Sequence, residues 1–505
     1  MTTFMPLMCP QRTNITYATK STRLWILIAF GLLLFAYLFR LGYLELSGEE
    51  PRRAAVALEM IHSGDWVVPQ LYGTTYYNKP PLHNWLMATT SVVTGSTAEW
   101  AMRLPGLLCH FTVAILLFLW MKRSHKVEGG ILTALLYLTG ADFMYYSGIF
   151  SAELDFTFTL FLFLNAIGIF YSGKDPLRYR VFYYLAYSSL FAAIMTKGLP
   201  ALHFHFLGLL AWSIWNRSLK AQFNIHHFLG IALCVSGLAF YYYLFSLNAD
   251  IQTWWLNHFV ESGDKIAPLS LKSIINQLTE TPLALLKLLL PWSITFLLLY
   301  QKKLRQSIFS NNVVQFSVIY FIANILLYWI FIDVRDRYLF PFVPFLSVVA
   351  AAIIIKKDWW FQKSKTIVAI IILMALIRIG YSAFVMPKLA SGEWSNRYQY
   401  EKLTDSLLTF SKGQPINLLT PGEKFAIPLI DSAVDTIVRQ PVVPYQIAYY
   451  LGRITGHAPK VVDAPVSGQY YLIFENQDIY RNQGEIKFDF IESWYREPMS
   501  LIRWE

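Results

Sequence analysis

Charged residues are scarce in this sequence of 505 residues: Asp, Glu, Lys and Arg together make up 15% of it. Hydrophobic residues account for 55% and aromatic residues for 17%. Because ordinary soluble domains contain about a quarter charged residues, this composition excludes a soluble globular protein. The sequence predicts an integral membrane protein.

Cysteine is also nearly absent, and the three that occur, Cys9, Cys109 and Cys234, are isolated. Such spacing supports neither a disulfide framework nor a cysteine-based metal site. No Gly-rich phosphate loop follows a predicted strand, which disfavours a nucleotide-binding enzyme. No internal repeat is evident either, and this weakens the case for a transporter built from duplicated halves.

Long apolar runs are what the sequence has in abundance. A helix of about 20 apolar residues crosses the ~30 Å hydrocarbon core of a bilayer. Eleven runs meet this requirement, near 23–42, 103–120, 130–149, 155–172, 181–196, 199–215, 227–246, 283–300, 313–332, 338–355 and 366–386. The predicted fold is therefore an all-α polytopic membrane bundle with about 11 to 13 transmembrane helices.

The basic residues predict how this bundle is oriented. If the N-terminus is cytoplasmic, the short inner connections contain 15 Lys and Arg residues, and the short outer turns contain three, Lys197, Arg335 and Arg337. The positive-inside rule favours this orientation. The formal charge of +10 is then mainly a topology signal, and no basic face on a soluble domain indicates nucleic-acid binding.

Three longer pieces lie outside in this topology: a first loop over 43–102, a second over 247–282, and a C-terminal segment over 387–505. The C-terminal segment contains strand-like runs, INLLT and YYLIF, between turn residues, and a helical stretch around 398–410. We predict a transmembrane domain over 1–386 and a small C-terminal α/β domain over 387–505.

The first outer loop contains two short helical patterns. PRRAAVALEMIH has Pro51 at its start and Gly64 after its end, with Arg52, Arg53 and Glu59 off its apolar face. It predicts a helix lying on the membrane surface. PLHNWLMATTSVVTG, over 81–95, is too short for a confident span and predicts a second interfacial helix.

Carboxylates gather at the predicted outer ends of the helices. Glu49 and Glu50 precede the first surface helix, and Asp155 opens an apolar run. Spacing alone leaves two interpretations of each residue. It is a carboxylate that stabilises a helix start, and Glu49 and Glu50 would then pair with Arg52 or Arg53. Alternatively it is catalytic, and one acid acts as the base while another orients that base or its substrate.

Cations gather at the same level, together with a tyrosine: Lys79, Lys197, Arg335, Arg337 and Tyr338. A phosphate at the lipid headgroup level would neutralise such a set, because Arg binds phosphate bidentately and Lys as a point charge. The alternative for each lysine alone is snorkelling to the interface. His258, in the second outer loop, is a further candidate for substrate contact, but no metal-ligand spacing accompanies it.

Four stretches carry a family resemblance: EEPRRAAVALEMIHSGDWVVPQLYGTTYYNKPPLHNW, LDFTFTLFLF, TKGLPAL and RYLFPFVPFLS. In this order they resemble the bacterial aminoarabinose transferases of lipid A and the related protein O-mannosyltransferase superfamily. The resemblance implies the GT-C fold, a multi-span bundle with outer-facing surface helices. It also implies transfer of one sugar from a polyprenyl-phosphate carrier to a lipid or protein acceptor outside the cytoplasm.

The resemblance also implies roles for individual residues. Glu49 stands where relatives have the Asp of an Asp-Glu pair, and Asn78 stands where they have the Glu before Lys79. The implied catalytic residues are Glu49, Glu50 and Asp155. The implied carrier-phosphate ligands are Lys79, Lys197, Arg335, Arg337 and Tyr338. Arg52 and His258 are candidate substrate contacts.

These observations predict an inverting glycosyltransferase in a bacterial inner membrane, with its active site and C-terminal domain in the periplasm. The expected partners are a polyprenyl (undecaprenyl) phosphate-linked sugar, a lipid A-like glycolipid acceptor and the bilayer. No cofactor is expected to be required, and a divalent metal ion stays an open alternative. A protein O-glycosyltransferase and, from another class, a lipid transporter are the alternative functions.

Overall fold

The structure is a computed structural model, and it describes residues 20–176, 178–256, 271–329, 335–419, 444–462, 464–474, 484–491 and 498–504. Most of these residues are helical. The helices are α1 Lys20–Leu38, α2 Glu50–Ser63, α3 Leu82–Thr94, α4 Glu99–Leu138, α5 Asp155–Lys174, α6 Val181–Lys197, α7 Pro200–Trp215, α8 Ile225–Ser246, α9 Leu271–Leu288, α10 Lys302–Ile308, α11 Asn312–Ile325, α12 Val343–Lys356, α13 Trp359–Gln362, α14 Ser364–Gly380, α15 Met386–Ala390, α16 Tyr400–Phe410 and α17 Tyr445–Thr455.

The strands are few and short. They are β1 Gln70–Leu71, β2 Thr74–Thr75, β3 Ile416–Leu419, β4 Val461–Val462, β5 Tyr470–Phe474, β6 Gly484–Ile491 and β7 Pro498–Trp504. The first two form a small antiparallel ribbon in the first outer loop. The other five form one sheet in the order β4-β3-β5-β7-β6, in which β3 is parallel to both its neighbours and β7 is antiparallel to both of its own.

Five helical segments in the described chain are long and apolar enough to cross a membrane: Glu99–Leu138, Asp155–Lys174, Ile225–Ser246, Asp336–Lys356 and Ser364–Ala390. The pair Lys302–Ile308 and Asn312–Tyr328 adds a sixth if this segment, bent by 102°, is one span, and Leu24–Leu38 is a shorter apolar helix. The multi-pass membrane fold is therefore confirmed.

Two of the apolar runs that predict full spans form helices that are too short to cross the bilayer. Helices α6 and α7 have 17 and 16 residues. At about 1.5 Å per residue each is shorter than the ~30 Å hydrocarbon core. The runs predicted at 103–120 and 130–149 lie mainly in α4, which consists of two helices that meet at a sharp kink where His125 and Lys126 leave helical geometry. The two helices fold back on each other, because the His110 ring lies 3.0 Å from the Tyr137 hydroxyl, so the two runs are separate segments as predicted.

Part of the predicted second outer loop is helical. Helix α9 begins at Leu271, inside the range 247–282 that the charge pattern assigns to the loop. It ends at Leu288, and 3₁₀ turns follow over Trp292–Tyr300. Pro291 lies at this break, and proline cannot continue the α-helical hydrogen-bond pattern because it has no backbone N–H. The predicted span at 283–300 is therefore the end of one helix followed by a tighter one.

Helix α2 is buried more deeply in the protein than its apolar face alone predicts. It packs between α3 and α17, so that nearly every side chain over its first eleven residues is buried. Arg53 and Glu59, which the pattern assigns to a solvent face, are each only 5% exposed. The α/β unit at the C-terminus covers this face, and a contact of that kind cannot be read from the sequence of α2 alone.

The C-terminal sheet confirms the predicted strands at INLLT and YYLIF, which are β3 and β5. The predicted helix around 398–410 is α16, Tyr400–Phe410. Glu45, from the start of the first loop, accepts hydrogen bonds from the backbone N–H groups of Tyr400 and Glu401 at 2.7 and 2.9 Å. This carboxylate therefore caps a helix of the C-terminal domain from the membrane bundle.

Candidate active site

Glu49 stands at the entry to α2, beside the two arginines of the first helical turn. Its carboxylate lies 3.1 Å from the Arg52 guanidinium and 3.7 Å from that of Arg53. Burial opposes ionisation of Glu49, but Arg52, Arg53 and Arg337 outweigh that effect and hold the pKa of this carboxyl below its ordinary value. Glu49 is therefore a carboxylate, and 23% of its side chain is still exposed.

Glu50, one residue later, points away from this position. Its two carboxylate oxygens accept hydrogen bonds from Arg103 at 3.0 and 2.8 Å, and both side chains are completely buried. The same carboxylate accepts the backbone N–H groups of Ser47 and Ala152. Both oxygens are engaged and Glu50 lines neither of the two cavities of the site, so this contact holds the first loop on α4.

Asp155 and Lys197 form the central ion pair of the site. Asp155 is the first residue of α5 and Lys197 is the last residue of α6. The Lys197 ammonium is 2.5 Å from one carboxylate oxygen of Asp155, and the Lys197 Nζ also lies 4.3 Å from the centre of the Tyr338 ring. Gly198 follows with φ +81°, which a glycine adopts without strain and which turns the chain directly into α7.

Arg337 joins Asp155 to a second carboxylate, Glu153. Its guanidinium pairs with Glu153 and lies 3.8 Å from the free oxygen of Asp155. Burial raises the pKa of Glu153 to about 7, and the neighbouring carboxylates of Asp155, Glu50 and Glu49 add to this rise, whereas Arg337 opposes it. Glu153 lies two residues before Asp155 in the sequence, and the structure places both carboxylates against Arg337.

The segment that carries Glu153 and Asp155 is held against α4 by a close backbone approach. A Cβ atom at Gly106 would lie 1.9 Å from the backbone oxygen of Ser151, so only glycine fits there. The Ser151 hydroxyl donates a hydrogen bond to the backbone oxygen of Arg103 at 3.0 Å. Helix α4 therefore fixes both Glu50, through Arg103, and the segment that leads into Asp155.

Two adjoining cavities share the central charged groups. The smaller, of about 40 Å³, is lined by Glu49, Arg53, Lys79, Glu153, Leu154, Asp155, Lys197, Arg337 and Tyr338. The larger, of about 980 Å³, is large enough for a sugar phosphate and also contains Arg52 and Arg335 in its wall. Glu49, Glu153, Asp155 and Arg337 line both, so the structure brings together every predicted site residue that it describes except Glu50.

His258 belongs to residues 257–270, which lie outside the described part of the chain. Its predicted contact with substrate stays a prediction. Within the residues that the structure describes, no group of three or more His, Cys, Asp or Glu side chains has the arrangement of a metal site.

The C-terminal domain contributes one wall of the large cavity through Tyr445. This residue begins α17 and lies against α2. The Arg52 guanidinium is 4.4 Å from the centre of the Tyr445 ring, a cation–π distance. Sequence reasoning missed Tyr445 because almost 400 residues separate it from Arg52, and no local pattern indicates that the two segments meet.

Comparison with known proteins finds similarity to glycosyltransferases over part of the sequence. Residues 78–244 match the family described as dolichyl-phosphate-mannose-protein mannosyltransferase. An undecaprenyl phosphate-alpha-4-amino-4-deoxy-L-arabinose arabinosyl transferase of Edwardsiella ictaluri is 30% identical over 204 residues, 39% of this chain and 36% of that protein. The corresponding protein of Shewanella sediminis is 28% identical over 186 residues, 36% of this chain and 34% of that protein. The matched region thus spans about a third of the length of these curated relatives.

The fold matches over almost the whole chain. The crystal structure of ArnT from Cupriavidus metallidurans in the apo state aligns with a TM-score of 0.69 at 16% identity, covering 95% of this chain and 98% of that one. The structure of the same protein bound to undecaprenyl phosphate aligns with a TM-score of 0.67 at 15% identity, covering 96% and 98%. The chain therefore has the fold of these ArnT structures. In sequence it is similar to aminoarabinose transferases and to the protein mannosyltransferase family over about a third of its length.

The large cavity has a further charged cluster in its wall, formed by Lys287, Asp336 and Asp142. Lys287, from α9, pairs with Asp336 at 2.8 Å, and the Ser147 hydroxyl donates to Asp142 at 2.5 Å. Burial raises the pKa of Asp142, while Ser147 and Lys287 oppose the rise. The wall of the large cavity thus has mixed charge, with Arg337 and Lys287 among its cations and Asp142, Asp155 and Asp336 among its carboxylates.

Proposed function

We propose that this protein transfers a single sugar from a polyprenyl-phosphate carrier to a lipid A-like glycolipid on the outer side of a bacterial inner membrane. One observation carries the proposal. The large cavity, of about 980 Å³, and the small cavity share Glu49, Glu153, Asp155 and Arg337 in their walls. Carboxylates and cations suited to phosphate therefore lie together at the edge of a space large enough for substrate. The curated relatives are named for transfer from undecaprenyl phosphate, and we extend this carrier class to the present chain.

The phosphate of the carrier binds, in this proposal, where Arg337 faces the large cavity. Arg337 supplies a planar fork of N–H donors, and Arg335, in the wall of the large cavity, supplies a second guanidinium. Lys79 and Lys197 lie in the wall of the small cavity behind these groups. Together they stabilise the negative charge that develops on the phosphate as it leaves. Tyr338, whose ring contacts the Lys197 ammonium, holds that lysine in place.

The reaction is a single displacement with inversion at the anomeric carbon. An acceptor hydroxyl oxygen forms a bond to that carbon while the bond from the carbon to the phosphate oxygen breaks. The electron pair of the broken bond leaves with the polyprenyl phosphate, and the hydroxyl proton passes to a carboxylate. We assign this proton to Glu49, because its carboxylate is ionised and partly exposed in the large cavity.

Asp155 has a different role in this scheme. Its side chain is 6% exposed, and its oxygens face Lys197 and Arg337. We therefore assign Asp155 to orienting these two cations toward the phosphate.

The acceptor class is tested by following the product. Lipid A-like glycolipids and the Ser and Thr residues of envelope proteins are analysed by mass spectrometry in cells with and without this protein. A single added sugar on the glycolipid, lost in the deletion, supports the proposal. The match over residues 78–244 to a protein mannosyltransferase family favours the alternative acceptor, and the sugar on Ser or Thr peptides would establish it.

In the proposed orientation the N-terminus is cytoplasmic. The two cavities and the C-terminal domain then lie on the periplasmic side. The support for this orientation is the excess of basic residues in the short connections at the other end of the helices. The lipid-transporter alternative has weaker support, since the charged groups gather at one end of the helices and no duplicated halves are evident. Attaching a cysteine-reactive, membrane-impermeant label at an engineered Lys412→Cys tests the orientation in intact spheroplasts.

A further inference from the structure

A separate polar cavity lies at the other end of the bundle from the candidate active site. It has a volume of about 440 Å³ and lies between the end of α5, the part of α4 before its kink, and the start of α11. Helix α5 begins at Asp155 in the active site and ends at Lys174 in this cavity. Its 20 residues span roughly 30 Å at 1.5 Å per residue, so the two sites lie at opposite membrane faces.

The walls of this cavity are cationic and rich in hydrogen-bonding groups. Arg123 and Lys174 supply the charges, and none of the described residues that line the cavity is a carboxylate. The remaining polar residues in the wall are Ser124, Tyr171, Tyr179, Ser310, Asn311 and Asn312. Arg123 donates to the Tyr171 hydroxyl at 2.8 Å, a neutral partner that leaves its positive charge uncompensated.

A buried donor in the wall of the same cavity lacks a partner. Trp120 is 3% exposed, and its indole N–H has no hydrogen-bond acceptor among the described residues. Its ring packs edge-on against Phe163 and Phe170, which fixes its position. An unpaired buried donor costs free energy, and an acceptor atom of a bound ligand would remove that cost.

The start of α11 adds a third feature that favours an anion. Asn311 caps this 14-residue helix by accepting the backbone N–H groups of Val313 and Val314 at 2.8 and 3.4 Å. The N-terminus of a helix carries a partial positive charge. The cavity thus combines two side-chain cations, a helix N-terminus and an unpaired donor.

We propose that this cavity binds the phosphate group of an anionic phospholipid. Basic pockets between transmembrane helices at the cytoplasmic face are suited to acidic headgroups, because the cations attract the phosphate while acyl chains stay in the bilayer. Trp120 and Phe170 provide the apolar part of the cavity wall. This lipid site is independent of sugar transfer, and it anchors the kink region of α4 against α5 and α11.

Native mass spectrometry of the full-length protein in detergent tests this proposal, with phosphatidylglycerol and phosphatidylcholine as probes. We expect retention of phosphatidylglycerol and little retention of phosphatidylcholine. The double variant Arg123→Gln/Lys174→Gln should lower phosphatidylglycerol affinity by roughly tenfold or more, since each basic residue near an anionic lipid contributes about 1 kcal/mol. Trp120→Phe keeps the ring but removes the N–H, and it should weaken binding a few-fold.

The matched control is the double variant Lys302→Gln/Lys303→Gln, which removes two exposed charges from α10 outside the cavity. It should retain phosphatidylglycerol like the unmodified protein. Competition with inorganic phosphate distinguishes the phosphate group of a lipid from a free phosphate ion as the ligand. If millimolar phosphate displaces the lipid and itself binds with the same dependence on Arg123 and Lys174, the site takes a soluble phosphate. Equal lipid retention in both double variants would overturn the proposal.

Discussion

Asp155 and Lys197 are 42 positions apart in sequence, and their charged atoms are 2.5 Å apart in the fold. The pair joins the first residue of α5 to the last residue of α6, helices that pack along their lengths. Both side chains are largely buried, and each compensates the charge of the other. This pair is therefore the structural centre of the proposed site and a sensitive place to test it.

Breaking this pair should affect stability and transfer differently. Asp155→Asn leaves the Lys197 ammonium with less compensation and should destabilise the protein by about 3 kcal/mol, the usual cost of removing one partner of a buried ion pair. The double variant Asp155→Asn/Lys197→Met should recover much of that stability but not sugar transfer. Thermal unfolding in detergent and a transfer assay on the same preparations check this. Recovery of activity in the double variant would argue against any role of the pair in the reaction.

Glu49 and Glu50 form a matched pair of neighbours with opposite predicted behaviour. Glu49→Gln should abolish transfer with little change in the melting temperature, because Glu49 is partly exposed and faces the cavity. Glu50→Gln should lower the melting temperature strongly, because it removes the buried partner of Arg103. If Glu50→Gln is stable and inactive, Glu50 regains the catalytic role that its position before α2 suggests.

Lys79 tests the phosphate-binding assignment. Lys79→Ala should reduce the rate of transfer by at least a hundredfold, because it removes from the wall of the small cavity a cation that stabilises the charge on the leaving phosphate. Lys302→Ala, on exposed helix α10, is the control for loss of a single lysine. Transfer rates with purified carrier-linked sugar give the comparison. An unchanged rate in Lys79→Ala would remove this residue from the site.

Glu153 should make the folded protein sensitive to pH. Its folded-state pKa is raised to about 7 from 4.5, so the folded protein holds this proton more tightly than the unfolded chain does. The contribution of Glu153 to stability is therefore present below pH 4.5 and is lost as the pH rises through 7. Glu153→Gln should flatten the melting temperature between pH 4.5 and 7.5. An equally steep profile in this variant would contradict the assignment.

Tyr445 tests whether the C-terminal domain belongs to the site. Tyr445→Phe keeps the aromatic face over Arg52 and should be nearly neutral, whereas Tyr445→Ala removes it. A cation–π contact of about 0.5–1 kcal/mol corresponds to an affinity change of up to about fivefold. We expect this change in the KM for the acceptor, with kcat less affected. Equal KM values in both variants would place Tyr445 outside the acceptor region.

The site shows what local sequence can and cannot predict. Lys79, Asp155 and Lys197 were predictable because polar residues at the ends of apolar runs are costly and few. Arg103 was not, since it lies at the start of an apolar run and its partner, Glu50, is 53 positions earlier. Tyr445 depends on how the C-terminal domain packs on α2.

The helical architecture was likewise predictable only in part. The apolar runs predict a multi-pass bundle correctly, because bilayer thickness sets a minimum length for each span. They do not predict that α9 begins at Leu271 or that α2 is buried. Both features depend on packing between distant segments, and hydropathy along the chain carries no information about that packing.

The account is tested most directly by measuring polyprenyl-phosphate-linked sugars in membranes. Lipid extracts from cells lacking this protein are compared by mass spectrometry with extracts from cells complemented with the unmodified protein or with Glu49→Gln. We predict that one carrier-linked sugar accumulates in the deletion, disappears with the unmodified protein, and persists with Glu49→Gln. Identical carrier-lipid profiles in all three strains, with the protein and the carrier pathway expressed, would contradict the proposed transfer reaction.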